Sequence, residues 1–135
     1  MFTRPANIFK RVIAVMIDHA ILLIGLYTIY TQIWQGDVNN VAINTNQFLI
    51  FTAITVGYFL LLEWLFHKTI GKKIMGLKVV RITGQSPDLL SALIRNIVRP
   101  IDFIGFYLLG LIFITYSDLN QRLGDMIAGT YVIEE

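Results

Sequence analysis

Long apolar blocks alternate along this chain with short polar ones. Residues 11–34 (RVIAVMIDHAILLIGLYTIYTQIW) are apolar at nearly every position from 12 to 30, and residues 47–66 (QFLIFTAITVGYFLLLEWLF) repeat the pattern. A helix of roughly 20 apolar residues covers the hydrocarbon core of a bilayer, about 30 Å at 1.5 Å per residue. Each block therefore predicts a membrane-crossing helix. The stretch between them, residues 35–46, is rich in Asn and Gly, carries Asp37 and has no Lys or Arg. It predicts a turn-rich loop that makes the two helices a hairpin.

Beyond residue 66 the periodicity changes. Residues 77–83 (LKVVRIT) predict a short strand, closed by a turn over residues 84–87. Residues 88–101 then place Leu89, Leu90, Leu93, Ile94, Ile97 and Val98 on one helical face and Arg95 and Arg99, with Asp102, on another. That pattern suits an interfacial helix whose polar face turns toward protein, bent or ended by Pro100. The third apolar block, residues 103–116, is only 14 residues long, about 21 Å as a helix. Two arrangements are open: a third span over about 97–116 that buries Arg99 and Asp102, or a bent hairpin that returns to its starting side. Residues 130–133 predict another strand, and pairing with residues 78–80 would bring the tail to the cytoplasmic side. The expected architecture is an all-α membrane protein of one domain over residues 1–135. It has a hairpin of two transmembrane spans, an interfacial helix, a third short or re-entrant membrane helix and short cytoplasmic strand-like segments.

Composition strengthens this picture. The chain is 135 residues long and 56% apolar, with a mean hydropathy of +0.65, which reads as integral to a membrane. The first block exceeds the ~7–15 apolar residues of a signal core and lacks a small-x-small cleavage site, so a retained helix is expected. There is no cysteine and hence no disulfide or thiolate site. The net charge of +2 is small but unevenly distributed. Arg4, Lys10 and Arg11 precede the first block, and Lys68, Lys72, Lys73, Lys78 and Arg81 follow the second. Lys and Arg accumulate on the cytoplasmic side, so the N-terminus and the loop after the second span are expected there. Trp34 and Trp64 fall at opposite membrane edges, as indoles prefer.

The candidate chemistry lies in charges at membrane depth. A carboxylate inside an apolar span costs about 2.5–3.5 kcal/mol on insertion scales, so Asp18 is not incidental. Arg11 precedes it by seven residues on the same helical face. The two are about 10 Å apart along the axis, so each needs a partner from another segment. Glu63, Arg95, Arg99, Asp102, Arg122 and Asp125 complete the set. One reading is an ion or proton path with Asp18 as the titrating group. The other is a polar clasp, in which each Asp is satisfied by an Arg from another helix. Glu63 and His67, four apart, are placed to hydrogen-bond on one face. Lys72 and Lys73 are candidate ligands for anionic lipid headgroups, or simply topology signals. No metal-ligand cluster, phosphate-binding loop or Ser-His-Asp set is present, so nothing points to an enzyme or a cofactor. Basic residues abutting a span argue against nucleic-acid binding. One echo remains: Arg11 to Asp18 and Arg95 to Asp102 share the spacing Arg-x6-Asp, as a duplicated half would.

Four motifs in order carry a family resemblance. They are Arg11 with Ala14 and Asp18; Thr69-x-Gly71-Lys72-Lys73-x-x-Gly76-Leu77-Lys78-Val79; Leu93-x-Arg95-Asn96-x-x-Arg99; and Arg122-Leu123-Gly124-Asp125-x-x-Ala128-Gly129-Thr130. Together they resemble the RDD family, mainly prokaryotic membrane proteins named for one arginine and two aspartates. The resemblance covers essentially the whole chain and carries the signature over to Arg11, Asp18 and Asp125. It implies a multi-span protein of the cytoplasmic (inner) membrane with a transport role, and some relatives are linked to sodium/proton exchange. On that footing the expected partners are the lipid bilayer, Na⁺ or H⁺, and further copies of this short chain. The alternative is a non-transporting scaffold or accessory subunit. Asp125 is expected either to cap the turn over residues 126–129 or to reach Arg11 at the cytoplasmic edge.

Overall fold

The structure is a computed structural model that describes residues 4–35, 37, 42–104 and 108–135, with side chains described outside 100–104 and 108–111. Helix α1 spans Ile8–Thr28 and runs on as a π-helical turn over Ile29–Ile33. It starts where Asn7 accepts a hydrogen bond from the Phe9 N–H at 2.8 Å, satisfying one of the free donors of the first turn. Helix α2, Thr45–Phe66, opens with a reciprocal capping box between Asn44 and Gln47. Its start lies beside the end of the π-helical turn, since the Trp34 and Phe51 rings are 5.2 Å apart. Both helices are long and apolar enough to cross a membrane.

Their surfaces are the inverse of those of a water-soluble protein. Leu23, Ile24, Tyr27, Phe48, Leu49, Leu61 and Leu65 are exposed, whereas Arg11, Asp18 and Glu63 are buried. Apolar residues on the outside and charges on the inside suit a hydrocarbon surround.

After α2 the chain forms a one-turn helix α3 (Ile70–Ile74) and strand β1 (Leu77–Arg81). Helices α4 (Leu89–Ile104) and α5 (Leu108–Tyr116) follow, then a second one-turn helix α6 (Leu123–Ile127) and strand β2 (Thr130–Glu134). The strands form an antiparallel two-stranded sheet with Val79 opposite Val132, the expected pairing. Pro5 adds an isolated bridge to Ile133. Ala6, Ala14, Leu77, Val79 and Val132 pack into one apolar cluster that joins the start of α1 to the sheet.

Of the two effects expected of Pro100, it does not end α4, which continues to Ile104. Arg95 in α4 lies 3.3 Å from the Thr130 hydroxyl. Just beyond α5, Asn120 donates to the Ala6 carbonyl and Gln121 to the Thr130 carbonyl. Residues on both sides of the third apolar block thus reach the sheet or the start of α1. At nine residues, α5 is about 13.5 Å long, too short to cross alone. On α4, Ser91, Ala92, Arg95 and Asn96 face protein while Leu90, Leu93 and Ile97 are exposed, as the interfacial pattern anticipates.

Candidate functional site

Three buried carboxylates organise the junction between the helical hairpin and the sheet. The first is Asp18, 1% exposed at the middle of α1. Its Oδ1 accepts from the Tyr58 hydroxyl and the Gly71 N–H, both at 2.7 Å. Its Oδ2 accepts from the Thr69 hydroxyl at 2.5 Å. Thr69 is the N-cap of α3, so Asp18 caps a neighbouring helix from across the contact. Glycine makes this possible, because a Cβ at position 71 would lie 2.0 Å from the Ala14 carbonyl oxygen. The expectation of an arginine partner for Asp18 is corrected: its donors are neutral, because the α3 N-terminus fills the place where a guanidinium was anticipated.

The second carboxylate is Asp125, fully buried. Arg11 Nη2 donates to Oδ2 at 2.7 Å, the contact expected at the cytoplasmic edge. Arg95 Nη2 lies 3.1 Å from Oδ1 and Arg122 Nη2 lies 3.5 Å from it. Asp125 also accepts from the Arg122 N–H at 3.1 Å, which caps its own helix α6. Of the two roles foreseen for it the contact with Arg11 is present, whereas it does not cap a turn over residues 126–129: it lies inside α6 and bonds back to the N-cap Arg122. Burial works against its charge, yet Arg95, Arg122 and Arg11 hold the carboxyl well below its ordinary pKa. Arg11 also donates to the Asn120 carbonyl.

The third is Glu63, near the end of α2. Its Oε1 accepts from Lys72 Nζ at 2.5 Å and from Arg99 Nη2 at 3.2 Å, and its Oε2 lies 3.4 Å from Arg95 Nε. The Arg99 guanidinium also sits 3.6 Å over the Phe59 ring. Burial pushes the Lys72 ammonium down to a pKa of about 7; Glu63 opposes the shift, and Arg95, Arg122 and Arg99 reinforce it. Arg95 touches both Glu63 and Asp125 and so joins these two nodes into one network.

Several sequence assignments are redrawn by this geometry. Lys72 is not a headgroup ligand, since it is buried against Glu63; Lys73 alone of that pair is exposed. Glu63 does not pair with His67. His67 ends α2 in a left-handed conformation, φ 58°, which takes its ring out of the helical register, and its Nδ1 has no hydrogen-bond partner among the described residues. His19 turns away from Asp18, with Nδ1 2.8 Å from the Val15 carbonyl and its ring 6.0 Å from Phe59. Arg99 is held by Glu63 and by Asn96; the Asp102 side chain, and with it the suggested Arg99–Asp102 clasp, lies outside the described residues. Among the described residues no group of three His, Asp or Glu could hold a metal ion. Tyr58, Thr69, Gly71 and the Asn120 carbonyl were missed. Only Thr69-x-Gly71 carries a signal, a capping residue two positions ahead of a glycine.

The sequence profile of the RDD family matches residues 5–129, a stretch that takes in all three carboxylates and their cations. The chain belongs to the RDD family. It is also 30% identical over 133 residues to the uncharacterized protein YckC of Bacillus subtilis (strain 168), covering 96% of this chain and 84% of that protein. No solved structure matches it. In this RDD membrane protein the signature divides between two nodes: Asp18 fixes α3 to α1, whereas Arg11 and Asp125 fix the tail to the start of α1.

Proposed function

We propose that Arg11 and Asp125 of this RDD protein form a latch with Arg95 and Arg122, and that the chain acts as a membrane scaffold or accessory subunit rather than a carrier. The observation that carries this reading is Asp125. One fully buried carboxylate holds Arg11 of α1, Arg95 of α4 and Arg122 of the tail. Its oxygens are taken up by fixed partners that tie three separated segments together. Removing one member of such a buried set costs about 3–5 kcal/mol, because the others stay buried without it. The latch keeps the sheet and its two short helices folded against the hairpin on the cytoplasmic side, where the basic segments of the chain place them. In Asp125→Asn the tail should come free while the hairpin stays inserted. Trypsin then cleaves after Arg122 much faster than in the wild type, and the hairpin fragment remains membrane-bound. Unchanged cleavage would reject the latch.

A second reading, cation/proton exchange in the inner membrane, is favoured by one feature. Asp18 stands apart from the guanidinium groups and holds only neutral donors. So short a chain would need to assemble into a homo-oligomer to enclose a path. Proteoliposomes carrying an internal pH dye test it on addition of Na⁺, Li⁺ or K⁺. Proton release by the wild type and not by Asp18→Asn would establish exchange, and no response from folded protein supports the scaffold.

A further inference from the structure

The two helix–strand pairs beside the hairpin have the same build. A shift of 53 positions carries α3 (Ile70–Ile74) onto α6 (Leu123–Ile127) and β1 (Leu77–Arg81) onto β2 (Thr130–Glu134), with every boundary matched. It carries Gly71 to Gly124, Ile74 to Ile127, Gly76 to Gly129 and Val79 to Val132. The backbone follows: His67 and Asn120 are both left-handed, φ 58° and 50°, as are Gly76 and Gly129, φ 64° and 60°. Hydrogen bonds cross the sheet in a matched pair, Ile82 N–H to the Gly129 carbonyl at 3.0 Å and Glu135 N–H to the Gly76 carbonyl at 2.9 Å. Val79 faces Val132 in register, so an approximate twofold axis passes through that pair.

The match extends into the long helices. A Cβ at Gly71 would meet the Ala14 backbone, three residues after Arg11, and one at Gly124 would meet the Arg95 backbone at 3.2 Å and Val98 Cβ, three residues after Arg95, at 3.4 Å. Each arginine opens the spacing Arg-x6-Asp, to Asp18 and to Asp102. Between arginine and glycine the first half has 59 residues and the second 28, which accounts for an α4–α5 pair shorter than α1–α2.

We infer that the chain is two copies of one unit, each a helix pair followed by a one-turn helix and a strand, and that the latch is the surface on which the copies recognise each other. This inference rests on the latch reading. It explains an asymmetry in the cluster. Lys72 occupies in the first unit the position that Asp125 occupies in the second. Asp125 meets the other unit's Arg11 directly, at 2.7 Å. The equivalent meeting sets Lys72 against Arg95, two cations, and Glu63 stands between them at 2.5 and 3.4 Å. Glu63 is therefore a positioning residue that supplies the carboxylate missing from the short helix of the first unit.

Moving that carboxylate back to its equivalent place tests the inference. Lys72→Asp alone sets two acids together, and Glu63→Gln alone removes the carboxylate that Lys72, Arg95 and Arg99 share. Each should lower the thermal midpoint of the full chain in detergent. The double variant Lys72→Asp/Glu63→Gln should regain more than half of the summed loss, since Arg95 then meets an aspartate as Arg11 does. Lys72→Asn/Glu63→Gln, with no carboxylate at either position, is the control and should stay low even where a single variant fails to accumulate. A double variant no more stable than that control overturns the duplication and leaves the latch standing. Single variants as stable as the wild type overturn the role given to Glu63, whereas an Asp125→Asn chain as stable as the wild type overturns the latch itself.

Discussion

Gly71→Ala tests the closest approach at any described glycine. A Cβ at this position would lie 2.0 Å from the Ala14 carbonyl oxygen and 2.9 Å from Asp18 Cγ, where ordinary contact begins at 3.4 Å. The Ala14 carbonyl belongs to the interior of α1 and cannot swing aside, so α3 must retreat by about 1.4 Å along that line. That displacement takes the 2.7 Å bond from the Gly71 N–H to Asp18 past hydrogen-bonding range and pulls on the 2.5 Å bond from Thr69. Overpacking costs about 1–3 kcal/mol, and a buried acceptor losing its donor adds about 1–3 kcal/mol. The variant should therefore lose about 2–6 kcal/mol. The assay is equilibrium unfolding in detergent, followed through the two tryptophans. Gly57→Ala is the control, because nothing lies within 4 Å of a Cβ there and alanine favours a helix interior. Gly71→Ala within about 0.5 kcal/mol of the wild type, the scatter of ordinary surface changes, would refute the α1–α3 contact.

Further outcomes follow from the same network. Tyr58→Phe removes one of three donors to Asp18 and should cost about 0.5–1.5 kcal/mol by denaturant titration. Lys72, held near pKa 7 in the fold against 10.5 free, binds fewer protons folded than unfolded between those values. Stability should therefore rise as pH climbs from 7 toward 10.5, and Lys72→Met should flatten that rise in thermal melts. Asp125 is depressed in the fold, so its contribution is present above its unfolded pKa near 3.8 and is lost as pH falls below it. Acid melts of Asp125→Asn should lack that component. Lys73→Gln, at an exposed position outside the network, should change stability by no more than about 0.5 kcal/mol.

Local pattern made much of the scaffold readable. Two long apolar runs bounded by polar caps can only satisfy their backbones as helices in hydrocarbon, and β1 and β2 are short β-branched runs next to glycines. Arg11 and Asp125 came together as partners through the family resemblance, since composition alone leaves Asp125 an ordinary loop acid. The partners of Asp18 were not readable. A threonine hydroxyl, a tyrosine hydroxyl and a backbone N–H leave no charge signature, and they converge only because Gly71 lets two backbones touch. Lys72 was misread for a related reason. In sequence it belongs to a basic loop, and only the fold shows Glu63 reaching it across nine residues. The duplication announced itself as a single Arg-x6-Asp echo, since Lys72 and Asp125, its most informative pair, carry opposite charges.

A double-mutant cycle on Arg11→Gln and Asp125→Asn tests the latch most directly, because these residues are 114 positions apart in sequence and meet at 2.7 Å. The latch predicts that each single variant loses about 3–5 kcal/mol and that the double loses clearly less than their sum, by a coupling above about 1 kcal/mol. Additive losses, or an Asp125→Asn protein as stable as the wild type, would contradict it.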